Sequence, residues 1–192
     1  MTRCWRLRFI VLLLVFAWVA TPVAQEMAVP VEVQVPLFLK LLHFERRLQS
    51  RAADDTLVIG IVYQQRFRAS LEVKDGFVAA VEALGTEGPL RCTPLDLDSQ
   101  KDLSRALAAS QARVLYLCPL RAADLKKIAG IARDHRVLTM TGVPDFVRAG
   151  VAVGIDSKGQ KPLILINLPA ARAVNVDFSS RLLSLKMVKT IE

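Results

Sequence analysis

Histidine is nearly absent from this sequence, with two in 192 residues, and cysteine is scarce, with three. Structural zinc needs about four ligands at characteristic spacing, and nothing here supplies them. No cofactor is implied. No glycine-rich phosphate loop follows the first hydrophobic strand, because YQQRFRAS contains no glycine, and that disfavours a Rossmann-type nucleotide site. Aromatics make up only 6%, and no basic stripe is interleaved with them, so nucleic-acid binding is not indicated. There is no internal repeat beyond an alternation of strand and helix patterns, and no low-complexity tract.

Long apolar runs are also missing. The longest, Phe9 to Val19, falls short of the about 20 residues that span a bilayer. Arg3, Arg6 and Arg8 precede it, and Ala20, Thr21 and Ala24 follow. That is the layout of a secretory signal peptide over residues 1–24, with an uncleaved inner-membrane anchor as the alternative. Cleavage would leave no stable membrane insertion. Removing residues 1–24 leaves 23 basic against 18 acidic residues and lowers the net charge from +8 to +5. Export places the chain in an oxidising compartment and argues further against nucleic acid.

What is present is a rhythm. Residues 25–35 are rich in Val and Pro and read as an extended leader, with a single domain over 36–192. A first helix is expected from Pro36 to Ser50, with Leu37, Leu41, Phe44 and Leu48 on one stripe and Pro36 in the first turn. Strands are then expected at Thr56–Tyr63, Arg91–Leu97, Arg113–Cys118 and Val137–Met140. Helices at Ser70–Leu84, Ser99–Ser110 and Ala122–Asp134 separate them. This alternation means an α/β fold with one doubly wound, mostly parallel sheet and helices on both faces. Pro94 pushes the second strand to a sheet edge. After Met140 the rhythm changes. Pro144–Arg148 forms one helical turn, and Gly150–Asp156 and Pro162–Asn167 form an antiparallel hairpin about Gly159. A short turn over Ala170–Ala173 and a closing helix capped by Ser179 follow. Leu182, Leu183, Leu185 and Val188 are that helix's apolar positions.

Candidate chemistry is sparse, and no catalytic residue is assigned. Cys118 ends a strand, but neither His43 nor His135 is placed to activate it. A Cys92–Cys118 disulfide is disfavoured, since their strands flank the first one about 9–10 Å apart and a bridge needs Cα atoms within about 7 Å. Gln64, Gln65, Arg66 and Arg68 follow the first strand, at the crevice position of open α/β sheets. A small anion held by Gln65, Arg66 and Arg68 is one reading of them, and a solvated loop is the other. Asn167 ends the run LILIN and must find hydrogen bonds, either from the next loop's backbone or from a ligand.

The residues from 137 onward carry a resemblance. VLTMTGVPDFVRAGVAVGID, then LILINLPAARAVNVDFSSRLLSLKMV, resembles the periplasmic YfiR family. The matching positions are Val137–Thr139, Phe146, Gly150, Ile166–Asn167, Ala170 or Ala173, Ser179–Ser180 and Leu182–Leu183. The sequence departs from the family pattern at Ala149, at Phe178 and at ERRLQS, where a Trp-Pro is usual. The resemblance implies a non-enzymatic periplasmic regulator that binds the periplasmic part of an inner-membrane protein, a diguanylate cyclase or sensor kinase, and so modulates cyclic-di-GMP signalling. Phe146, Gly150, Asn167, Ser179, Ser180, Leu182 and Leu183 then have structural roles. A homodimer is compatible with the sequence. The alternative is a periplasmic binding protein for a small anion, feeding a transporter or sensor kinase.

Overall fold

The computed structural model describes residues 27–44, 56–85 and 90–192. The segment read as a signal peptide and the expected end of the first helix, residues 45–50, lie outside them.

Helix α1 spans Val31–His43 and so begins five residues before the expected start. The Val-Pro segment is not all extended leader. Val31, Val35, Phe38, Leu41 and Leu42 are all buried and recur at three- and four-residue spacing. Pro36 lies inside the helix rather than at its first turn. There its missing N–H forfeits one helical bond, and burial of the apolar stripe on both sides outweighs that loss. Pro30 closes the N-terminus, its carbonyl accepting from Val33 and Gln34 at 3.1 Å each.

Strand β1 (Leu57–Tyr63) is a buried aliphatic run. Helix α2 (Arg68–Ala83) follows and ends at Gly85, whose φ of +49° stops the chain in the left-handed region. Strand β2 is Leu90–Asp96. Helix α3 (Leu103–Ser110) is shorter than expected because Asp102 is its N-cap, accepting from Arg105 N–H. Ser99 instead donates to the Asp96 carbonyl. Strand β3 (Val114–Leu117) is fully buried. Helix α4 (Leu125–Asp134) is capped by Asp124. Strand β4 (Leu138–Thr141), helix α5 (Pro144–Arg148) and the hairpin of β5 (Val153–Lys158) and β6 (Lys161–Asn167) complete the expected series.

The end of the chain differs from the helical expectation. Helix α6 covers Leu168–Ala173, and α7 is a single turn, Ser180–Leu183. The remainder turns back as strand β7, Val188–Ile191. Leu185 and Val188 follow helical spacing, but β6 presents an open edge whose backbone groups need partners. Ile164 N–H donates to the Met187 carbonyl at 2.7 Å, and β7 pairs parallel to β6. Lys186 and Lys189 therefore do not complement a helix dipole.

The sheet order is β2-β1-β3-β4-β5-β6-β7. Strands β1 to β5 are parallel, and β6 and β7 run against them. The chain moves from β1 outward to β2, then crosses back to β3, so the topological switch lies between β1 and β3. Two cores result. On one face α1, α2 and the 171–182 segment share one core with Tyr116, whose ring meets Phe38 edge-on at 5.8 Å and Phe77 at 4.3 Å. On the other face α3, α4 and α5 bury Leu107, Ile128 and Phe146 against β1, β3 and β4. Helices thus cover both faces, as a doubly wound sheet requires.

Candidate functional site

The C-terminal end of β1 faces the switch point, where open α/β sheets bind ligands. Here the protein's own groups occupy that position. Gln64 clasps the β3–α4 loop through both halves of its amide: Nε2 donates to the Arg121 carbonyl at 3.1 Å, and Oε1 accepts from Arg121 N–H at 2.6 Å. The Arg121 guanidinium then lies over the Phe67 ring at 4.2 Å. The backbone N–H of Gln65 donates to Asp96 Oδ1 at 3.1 Å, and that of Arg66 donates to Asp98 Oδ2 at 2.7 Å. Asp98 N–H also donates to Asp96 Oδ1. Partial burial pushes the Asp96 carboxyl upward, but the N–H groups of Asp98 and Gln65, the Ser99 hydroxyl and Arg66 outweigh it and hold its pKa below the usual value. Two carboxylates thus take the loop amides that an anion would meet. Arg68 points away, in an exposed pair with Glu72 at 2.6 Å. Neither of the two cavities described below is lined by Gln65, Arg66 or Arg68.

A buried polar chain lies on the α1 face of the sheet. Gln34 is fully buried. Its Nε2 donates to the Val29 carbonyl at 2.6 Å, and its Oε1 accepts from the Tyr116 hydroxyl at 3.1 Å. Burial pushes the Tyr116 phenol well up, so it stays a donor, while a backbone hydrogen bond from Gly142 reaches the same oxygen. A side chain at Gly142 would overlap the Gln34 carboxamide, so the helix is seated directly on this backbone. Sequence reasoning missed Gln34. Its only signal was a polar residue inside a run of valines.

The motif residues near the end of the chain organise backbone. Asn167 Nδ2 donates to the Val147 carbonyl, and its Oδ1 accepts from Ala170 N–H, both at 3.0 Å, which caps α6. Gly150 has φ +112°, a conformation that side chains rarely adopt. Ser179 caps α7 by accepting from Leu182 N–H at 3.3 Å, and Ser180 begins that turn. Phe146 and Leu182 are buried, one in each core, and Leu183 packs beside Leu182 against the core on the α1 face.

Two cavities lie elsewhere. One, about 490 Å³, runs between α4 and α6 and is bordered by Lys126, Arg133, Thr139, Gly150 and Asn167. The other, about 580 Å³, lies between β2 and α3 and is bordered by Thr93, Gln100, Lys101 and Arg105. Neither holds a nucleophile beside a base. Cys92 and Cys118 are free thiols. Burial, with a smaller contribution from the Glu82 carboxylate, pushes Cys92 up to about 11, and burial pushes Cys118 higher still. Both are protonated near neutrality, which is the opposite of an activated thiol. A Ser104–His135 pair escaped the sequence reading, with 2.7 Å between Oγ and Nε2. It joins α3 to the end of α4 on an exposed surface and borders neither cavity. Among the described residues, no group of three His, Cys, Asp or Glu side chains could hold a metal ion, and no helix is long and apolar enough to cross a membrane.

These features define a class: a doubly wound α/β lobe whose ligand edge is filled by its own side chains. The chain belongs to the YfiR/HmsC-like family, whose pattern matches residues 32–186. No curated protein sequence matches it. Among solved structures it is similar to a conserved domain protein from Vibrio cholerae O1 biovar El Tor (TM-score 0.61, 12% identity, 85% of this chain and 60% of that one). It is also similar to an ABC domain in complex with L-Trp from Streptococcus pneumoniae (0.62, 12%, 85% and 62%). A third is CD0873, a substrate binding protein with adhesive properties from Clostridium difficile (0.53, 14%, 80% and 59%). The chain spans about three fifths of the length of each. At these identities the likeness is one of fold.

Proposed function

We propose that the protein is a non-enzymatic periplasmic regulator that binds the periplasmic part of an inner-membrane signalling protein, such as a diguanylate cyclase, and modulates its output. Membership of the YfiR/HmsC-like family over residues 32–186 carries this reading. The basic start, short apolar run and small residues of 1–24 support export. Deleting the gene should change cyclic-di-GMP and biofilm, and crosslinking should recover a membrane partner. Unchanged cyclic-di-GMP with no membrane partner recovered would sink this reading.

A second reading is a binding protein for a small anion, held by Gln65, Arg66 and Arg68, that serves a transporter or sensor kinase. It is favoured by the fold shared with a substrate binding protein and with an ABC domain in complex with L-Trp. Against it, Asp96 and Asp98 already hold the loop amides. A ligand at 100 times its Kd adds about 2.7 kcal/mol, which raises Tm by roughly 5–10 °C in a chain of this size. A screen of small anions with no such shift removes this reading.

A further inference from the structure

The groove between α4 and α6 is a second kind of feature. Val137 and Thr139 open into it beside β4, and Asn167 ends the antiparallel β6 there, so it lies at the N-terminal edge of the parallel strands. That is the edge opposite the crevice used for small ligands. Its charge has one sign. Lys126 and Arg133 border it, no carboxylate does, and among the described residues neither cation is in an ion pair. The two sit seven residues apart on α4, about 10.5 Å along the axis, a spacing suited to two carboxylates set equally far apart. The surface between them is low. Ala129, Gly130, Ala170 and Ala173 line it, and a side chain at Gly150 would stand against Ala129 Cβ at 3.5 Å and narrow it. Small residues of this kind let a backbone approach closely, as glycines do at tight contacts.

We propose that this groove docks an acidic helical segment of a protein partner, with two carboxylates two turns apart meeting Lys126 and Arg133 and the residues between them packing on the alanine-lined floor. The inference rests on the regulatory reading for the identity of the partner, which would supply the segment from its periplasmic part. The groove's geometry stands apart from that reading.

Two measurements test it separately. In the first, a labelled alanine-based helical peptide with two glutamates seven residues apart is titrated against the protein by fluorescence anisotropy, beside the same peptide with glutamines. The glutamate peptide should bind about tenfold more tightly, and Lys126→Glu/Arg133→Glu should abolish that preference. Equal binding of the two peptides, or no binding of either, overturns the proposal. In the second, a deletion strain is complemented with the wild type, the charge-reversed pair, Lys126→Arg/Arg133→Lys, and Ala173→Trp, which fills the groove. The wild type and the charge-conserving pair should restore cyclic-di-GMP control, and the other two should not, at unchanged Tm. Full control by the charge-reversed pair overturns the proposal while leaving the regulatory reading intact. A deletion with no effect on cyclic-di-GMP removes the regulatory reading and leaves the groove to be judged by the peptides.

Discussion

Replacing Gln34 by Leu tests what seats α1. Leucine has similar volume, so packing changes little. The Tyr116 hydroxyl, within the core, loses its acceptor, and the Val29 carbonyl loses its donor. An unsatisfied buried polar group costs about 1–3 kcal/mol, so with two affected groups Gln34→Leu should destabilise by about 2–6 kcal/mol. At about 2–4 °C per kcal/mol for a chain of this size, that lowers Tm by roughly 4–24 °C. Tyr116→Phe keeps the ring contacts to Phe38 and Phe77 and leaves both Gln34 Oε1 and the Gly142 N–H unpaired, at a cost of about 2–6 kcal/mol. The double variant decides the matter. Removing both partners is nearly neutral for the bond itself, so its loss should fall about 1–2 kcal/mol short of the sum of the single losses. Urea unfolding followed by far-ultraviolet circular dichroism gives all four corners of the cycle. Additive losses would refute the buried hydrogen bond as the anchor of α1.

The remaining predictions concern packing, thiols and pH. Gly154→Ala places a methyl onto Val147 Cγ2 and should cost about 1–3 kcal/mol by overpacking α5 against β5; urea unfolding with no loss would contradict that contact. At neutral pH a thiol reagent, read by peptide mass mapping, should leave Cys118 unmodified until unfolding. It should modify Cys92 slowly, at a rate that rises with pH toward about 11; rapid labelling of both at pH 7 would contradict their burial. Asp96 is held below its usual pKa in the folded state, so its contribution is present above the unfolded value, about 3.9, and is lost as pH falls through the folded value. Asp96→Asn keeps an acceptor for Gln65 N–H, so it should flatten stability against pH in the acid range while changing little at pH 7. An unchanged acid limb would locate the dependence elsewhere.

The parts of the fold legible in the sequence are those set by local pattern. TLVIGIVY and RVLYLC are short aliphatic runs bounded by polar residues, and PDFVR carries its own start signal in Pro144; each became the expected element. The start of α1 was hidden by two prolines and by Gln34, a polar residue on the buried face. Only its pairing with Tyr116, 82 residues away, makes that position tolerable. The closing strand was hidden for a related reason. Leu182, Leu183, Leu185 and Val188 do have helical spacing, and only the unfilled edge of β6 turns the last of them into strand. In the crevice, Asp96 and Asp98 look like the punctuation at the end of a strand. Their reach to Gln65 and Arg66, 31 and 32 residues earlier, depends on parallel pairing of β1 with β2, which no local pattern encodes.

That pairing bears on function as well as on fold. A lobe built to hold a small ligand at the C-terminal ends of its strands needs free amides and an open crevice there. In this protein Gln64 bridges the switch point, and two carboxylates from the neighbouring strand satisfy the β1–α2 loop. An incoming anion would have to displace both and meet their charge at close range, where like charges oppose binding. The groove at the other edge carries no such occupant and no carboxylate. It is bounded by Gly150, Asn167 and Ala170, the same residues through which the chain resembles its family. The residues of the family resemblance therefore shape the edge opposite the crevice that ligand-binding α/β lobes use.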